Sequence, residues 1–134
     1  MTGIHVRLRV GGEAYALPVE HVLEVAELGD VSVVPGAPSE VLGVRNLRGQ
    51  VLSVVDLAAL LGIGREGTPQ RLLVAEQGGR RAGLAIDEVT DVGPLPEPAE
   101  ETQSDFLTGA ALVDDELVGF VDVARLFEAL ERER

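Results

Sequence analysis

The sequence predicts an all-β fold: two similar lobes, each a small antiparallel barrel or roll, over a common hydrophobic seam. A short helix follows the last strand of each lobe. Three observations lead there. The chain repeats itself: residues 5–25 match residues 72–92 at a shift of 67, half of the 134-residue length. Gly11-Gly12, Leu17 and Val25 fall on Gly78-Gly79, Leu84 and Val92; at a shift of 66, Gly43 falls on Gly109 and Val55-Asp56 on Val121-Asp122. Apolar and polar residues alternate in short runs broken by glycine and proline, as in strands joined by tight turns. A lobe of half this length buries only roughly 60% of its unfolded surface, so two lobes should share one core. The expected organisation is a single domain over residues 1–134. Its approximate lobes are 1–67 and 68–134, with exchange of strands between them left open.

The elements follow in order. Ile4, Val6, Leu8 and Val10 alternate as a first strand, Gly11-Gly12 turns the chain, and Ala14–Leu17 returns as a second. Pro18 has no amide proton to donate and stops the pairing. Val22–Leu28 is a third apolar segment, and Pro35-Gly36-Ala37-Pro38 is a loop. Val41–Leu47 and Val51–Val55 flank Arg48-Gly49-Gln50 as a second hairpin. Asp56 ends that strand and caps a helix over Leu57–Leu61, its carboxylate accepting from first-turn amides; Gly62 and Gly64 stop the helix. The second half repeats the plan with Leu72–Glu76, a turn at Gln77-Gly78-Gly79, Ala82–Ile86 and Val89–Val92. Gly93–Asp105, with three prolines, reads as a long irregular loop. Ala110–Val113 and Leu117–Val121 form the last hairpin around Asp114-Asp115-Glu116. Asp122 caps a final helix over 123–132, whose Val123, Leu126, Phe127 and Leu130 share one face.

Composition narrows the function. The net charge is −12 and lysine is absent, which argues against nucleic acid and anionic membrane surfaces as partners. The charge is uneven: eight acids against five arginines in residues 1–67, fifteen against six in 68–134. An acidic second half either serves solubility or steers a basic partner. With no cysteine there are no disulfides, thiolate nucleophiles or cysteine-ligated metals, which fits a reducing cytoplasm. No basic-then-apolar leader is visible at the N-terminus, and no apolar run reaches the ~18 residues that span a bilayer.

Catalytic chemistry is sparse. The only histidines, His5 and His21, are too few for a histidine-centred metal site and read as structural. Gly62-Ile63-Gly64 cannot belong to a P-loop without a lysine. Asp56 and Asp122 could be a carboxylate pair, but their equivalent positions before helices read as two caps. Glu97, Glu100, Glu101 and Asp105 do not have the spacing of a calcium loop. No cofactor or metal is expected.

The two copies differ most at the second hairpin. Gly43-Val44-Arg45-Asn46-Leu47-Arg48-Gly49-Gln50 stands against Gly109-Ala110-Ala111-Leu112-Val113-Asp114-Asp115-Glu116, so Arg45 becomes Ala111 and Arg48 becomes Asp114. Glu24, on the strand expected near this hairpin, should pair with Arg48, whereas its counterpart Asp91 would meet Asp114 and could not pair. Two readings stay open: a surface ion pair worth about 0–1 kcal/mol, or an arginine posed beside an apolar groove to meet a partner.

Several runs together resemble the CheW family of bacterial chemotaxis coupling proteins: Tyr15-Ala16-Leu17-Pro18-Val19, Val22-Leu23-Glu24-Val25, Pro35-Gly36-Ala37-Pro38, and Gly43 to Gly49 leading to Val54-Val55-Asp56-Leu57. Gly83 to Val89 and Leu107-Thr108-Gly109 extend the likeness over almost the whole chain. The resemblance implies two five-stranded SH3-like barrels around a common interior, and no catalysis. It implies a cytoplasmic adaptor, at receptor arrays under the inner membrane, that joins chemoreceptor hairpin tips to a CheA-type histidine kinase. By motif, Val22, Glu24, Gly43, Arg48 and Gly49 would line or shape the receptor side, in the groove between barrels. Arg45 and Asn46 stand beside them as further partner contacts, and the kinase's CheW-like regulatory domain would dock barrel to barrel. The chain stops soon after its last helix, where many relatives run on, and its second half is unusually acidic. Both departures point to an alternative, a shortened accessory that binds receptors without the kinase.

Overall fold

The computed structural model describes residues 3–64, 67–99 and 104–132 of the chain. The described residues form ten strands, arranged in two five-stranded sheets, and two α-helices. The first half gives β1 (Gly3–Val10), β2 (Glu13–Pro18), β3 (Val22–Glu27), β4 (Val41–Leu47), β5 (Gln50–Asp56) and α1 (Leu57–Leu61). The second gives β6 (Arg71–Gln77), β7 (Arg80–Ile86), β8 (Glu88–Leu95), β9 (Leu107–Val113), β10 (Glu116–Val121) and α2 (Val123–Arg132).

The sheets are not the halves of the chain. One runs β8-β1-β2-β10-β9 and the other β3-β6-β7-β5-β4, so each N-terminal hairpin of a half joins three strands of the other half. We call these the β1 barrel and the β6 barrel. Each sheet curls until the segment after one edge strand meets the opposite edge. In the β6 barrel Ser32 and Val44 exchange hydrogen bonds of 2.8 and 2.9 Å; in the β1 barrel the Ala99 amide donates to the Ala110 carbonyl at 3.0 Å.

Crossing of the halves corrects one expectation. The pairing is not wholly antiparallel, because β2 meets β10, and β7 meets β5, in parallel. Those neighbours come from opposite halves, so no hairpin dictates their direction. A second correction concerns residues 93–95, expected in a loop. They continue β8, with Leu95 opposite Gly3 and Pro94 opposite Ile4. Proline is tolerated because β8 is an edge strand, where a missing amide costs no ladder bond. Glu100 and Glu101 lie outside the described residues.

Four two-residue turns set the register of the hairpins. Gly11-Gly12, Arg48-Gly49, Gly78-Gly79 and Asp114-Asp115 all have positive φ at both positions, the signature of type I′ turns. The alternating residues then separate cleanly. Val6, Leu8, Tyr15 and Leu17 of β1 and β2 meet Leu73, Leu84 and Ile86 of β6 and β7 in the largest core cluster. This cluster is the seam between barrels, and α2 closes it with Val123, Leu126 and Phe127. The opposite faces fill each barrel: Leu52, Val54, Leu72 and Val74 in one, and Ala14, Ala16, Val118 and Phe120 in the other.

Both helices are capped by aspartate. Asp56 accepts from the Ala58 amide and Asp122 from the Arg125 amide, each at 3.1 Å. Helix α2 is further held by Arg80, whose guanidinium lies 5.6 Å from the Phe127 ring centre and 2.6 Å from Glu131. No helix among the described residues is long and apolar enough to cross a membrane.

Candidate functional site: an arginine-bearing hairpin

All five residues expected at the receptor side fall in the β6 barrel, on β3, β4 and the β4–β5 turn. Arg48 occupies the first position of that turn at φ 51°, a conformation that costs a non-glycine residue roughly 1–2 kcal/mol. Two contacts hold it there. The Asn46 Oδ1 accepts from the Gly49 amide at 2.9 Å, which braces the turn from below. The Glu24 carboxylate accepts from an Arg48 Nη2 proton and pairs with its charge. That hydrogen bond, and then the charge attraction, raises the Arg48 pKa above the usual arginine value. The Arg48 side chain is still two-thirds exposed (67%), so it is posed without being buried.

The remaining members shape this tip. Val22 is half-buried against the seam. Gly43 is buried at φ 147°, and a Cβ there would lie 2.0 Å from the Ser32 carbonyl oxygen. Glycine therefore lets the segment after β3 cross β4 and close the barrel. Arg45 ties the same corner: its Nε donates to the Leu28 carbonyl and its Nη1 to the Asn46 carbonyl, both at 2.7 Å.

The twin hairpin of the β1 barrel inverts the charges. Asp114 and Asp115 replace Arg48 and Gly49, and the expected clash with Asp91 is relieved from elsewhere. Arg7 of β1 stands opposite Asp91 in the ladder and brings its Nη1 to 3.5 Å from Asp114. Arg7 occupies the position of Val74 in the other barrel, so this barrel takes an arginine inside where its twin takes a valine. Small Ala14, Ala16 and Ala111 line that interior, and the Arg7 Nε is buried without a hydrogen-bond partner among the described residues. Arg9 completes the cluster with Glu116 at 2.7 Å. The repeat alignment pointed at this difference, but it did not show which cation would answer the acids.

A two-barrel scaffold with this tip is found in known proteins. A family profile for the CheW-like domain matches residues 5–131. The chain belongs to the CheW-like domain family. The chemotaxis protein CheW of Rhizobium meliloti is 31% identical over 138 aligned positions, covering 96% of this chain and 89% of its own. A probable chemotaxis protein CheW of Rhizobium etli is 28% identical with the same coverage. The crystal structure of the scaffolding protein TtCheW from Thermoanaerobacter tengcongensis superimposes with a TM-score of 0.86 at 31% identity, covering 100% of this chain and 98% of that one. The two SH3-like barrels are those of a CheW-like protein, and its role is that of an adaptor in chemotaxis signalling.

Two features of this CheW-like domain escaped sequence reading. A half-open groove of about 350 Å³ lies between the Val34–Pro38 loop, the β4–β5 face and Leu130 of α2. Its walls come from segments almost a hundred residues apart, so no local pattern marks it. On the β1 barrel, Leu112 and Leu117 face each other across β9 and β10 while 67% and 60% exposed. Their alternation with buried neighbours was visible in the sequence, but not which face would meet solvent.

Proposed function

We propose that this protein joins the helical hairpin tip of a chemoreceptor to the regulatory domain of a CheA-type histidine kinase, without catalysis of its own. It acts in the cytoplasm, at receptor arrays under the inner membrane. Receptor contact falls to Arg48, Glu24 and Gly49 on the exposed tip, with Val22 supporting β3 and Gly43 closing the barrel beneath. Arg45 and Asn46 brace the tip, and Asn46 is exposed enough to reach a partner directly.

The observation that carries this reading is the pose of Arg48. A guanidinium in a left-handed turn, braced by Asn46 and oriented by Glu24, is preorganised for a partner's carboxylate or carbonyl. It is also absent from the twin hairpin, so one barrel is specialised. Such preorganisation reduces the entropy lost on binding.

The test is capture of a purified receptor cytoplasmic fragment. Arg48→Asp should weaken capture about tenfold or more, as expected for loss of a central charged anchor, with an unchanged circular dichroism spectrum. Undiminished capture would overturn the assignment. Titration with a purified kinase regulatory domain completes it: saturable binding supports the coupler, and no binding leaves a receptor-only accessory.

A further inference from the structure

The β1 barrel has a groove of its own, the counterpart of the one beside Leu130. It is half-open, about 340 Å³ in volume, and lies at one end of that barrel between β1, the β9–β10 hairpin and the segment after β8. Phe120 and Val121 stand where the β6 barrel has Val54 and Val55. The chemistry differs. The described lining of the first groove includes no ionisable side chain, whereas this one holds His5 and Glu97. Leu95, Pro96 and Pro98 give it apolar walls. Its polar side chains offer acceptors and no spare donor. The His5 Nδ1 lies 2.9 Å from the Gly3 carbonyl oxygen, which can only accept, so Nδ1 carries the proton and Nε2 of the neutral ring is left as an acceptor. The ring is held edge-on to Phe120, with centres 5.2 Å apart at 83°. Thr108 donates its hydroxyl proton to the Phe120 carbonyl at 3.3 Å, which leaves its oxygen lone pairs. Glu97 is exposed and, as a carboxylate, accepts only; no arginine lines the groove to answer it.

We propose that this groove is a docking site for an arginine side chain carried by a basic segment of a partner protein. Complementarity names the occupant. Side chains that can only accept call for a donor-rich group, and the carboxylate among them calls for a cation. A guanidinium presents its N–H donors in one plane, so it can fork onto Glu97 and still reach the His5 Nε2 or the Thr108 oxygen. Its methylene stem lies along the apolar surface of Leu95, Pro96 and Pro98. Lysine brings a point charge without the planar fork and fits less well. The wider field has the matching sign. Three of this barrel's five strands, β8, β9 and β10, belong to residues 68–134, which carry fifteen acids against six arginines. That excess steers a basic segment toward this barrel. The site lies on the barrel that lacks the Arg48 tip, so it stands apart from the receptor reading.

The experiment titrates the isotope-labelled full chain with the peptide acetyl-Gly-Arg-Gly-amide and follows backbone amide shifts by NMR. Saturable shifts are expected at Gly3, His5, Thr108 and Phe120. The same peptide with citrulline, the uncharged isostere of arginine, should bind about tenfold more weakly, as for loss of a charge-assisted hydrogen bond, and the lysine peptide should fall between them. Glu97→Gln should weaken binding of the arginine peptide about fivefold or more, while Glu88→Gln, at the other end of β8, changes it less than about twofold. Both positions are exposed, so folding is not at stake. Equal binding of the citrulline peptide, or binding untouched by Glu97→Gln, would overturn the site. So would shifts confined to the Asp114–Glu116 turn, which would mark attraction to surface charge alone, or the absence of any saturable shift. Tighter binding of free arginine, whose own carboxylate the acidic barrel repels, would mark a small-molecule site and overturn the docking reading as well.

Discussion

Replacing Gly43 separates a residue that touches the partner from one that builds the site. In Gly43→Ala the new Cβ would meet the Ser32 oxygen at 2.0 Å, Ser32 C at 2.7 Å and Val31 Cγ1 at 3.1 Å. Backbone atoms cannot rotate away, so the segment must lift by more than an ångström. That lift breaks the paired hydrogen bonds between Ser32 and Val44, of 2.8 and 2.9 Å. Each is worth about 0.5–1.5 kcal/mol net, and a non-glycine residue at this φ of 147° adds about 1–3 kcal/mol of strain. The sum is a destabilisation of about 2–6 kcal/mol, which for a domain of this size lowers Tm by roughly 8–24 °C. Thermal unfolding followed by far-UV circular dichroism measures it. A Tm within about 3 °C of the parent, less than the ~1 kcal/mol such a shift represents, would refute the reasoning. It would return Gly43 to the role of a direct receptor contact, its variant then losing binding without losing stability.

Two further outcomes test the seam between the barrels and the turns. Tyr15, the only tyrosine, has its pKa pushed up to about 12 by burial, with the Glu13 charge and hydrogen bond adding to the effect. Absorbance at 295 nm should show ionisation near pH 12. Because the folded pKa lies above the unfolded value, Tyr15's contribution to stability is intact below about pH 10 and is lost between about 10 and 12, roughly 2–3 kcal/mol in all; a midpoint near 10 in the folded protein would contradict this. Asp115 sits at φ 64° in the second position of its turn, where Asp-Gly is the favoured pair. Asp115→Gly should therefore stabilise by about 0.5–1 kcal/mol despite its added chain entropy, read as a higher urea midpoint; a lower midpoint would show that Asp115 makes a favourable contact.

Much of this architecture was legible because it is local. Type I′ turns need positive φ, and glycine pairs announced two of them; alternation at period two assigned each strand an inner and an outer face. The Glu24–Arg48 pair was legible as well, since the repeat supplied a built-in comparison at the hairpin tip. Aspartates before two apolar helical faces marked their caps through a hydrogen bond spanning only two or three residues.

What the chain alone determined is therefore the repeat, its turns, its strand faces and the arginine that distinguishes one tip. Tertiary structure decided which strands share a sheet. The two halves offer nearly the same edges, so β2 could meet either β5 or β10 without breaking any local rule, and only the packed seam selects between them. The same holds for Arg7, which looks like a surface residue on an alternating strand until β8, β9 and β10 arrive from the other half to surround it with acids. It holds again for the groove, which exists only once Leu130 is carried back across the seam to face Val34 and Val44. Periodicity reports a residue's side of its own strand, whereas the identity of the opposing surface is a property of the assembled barrels.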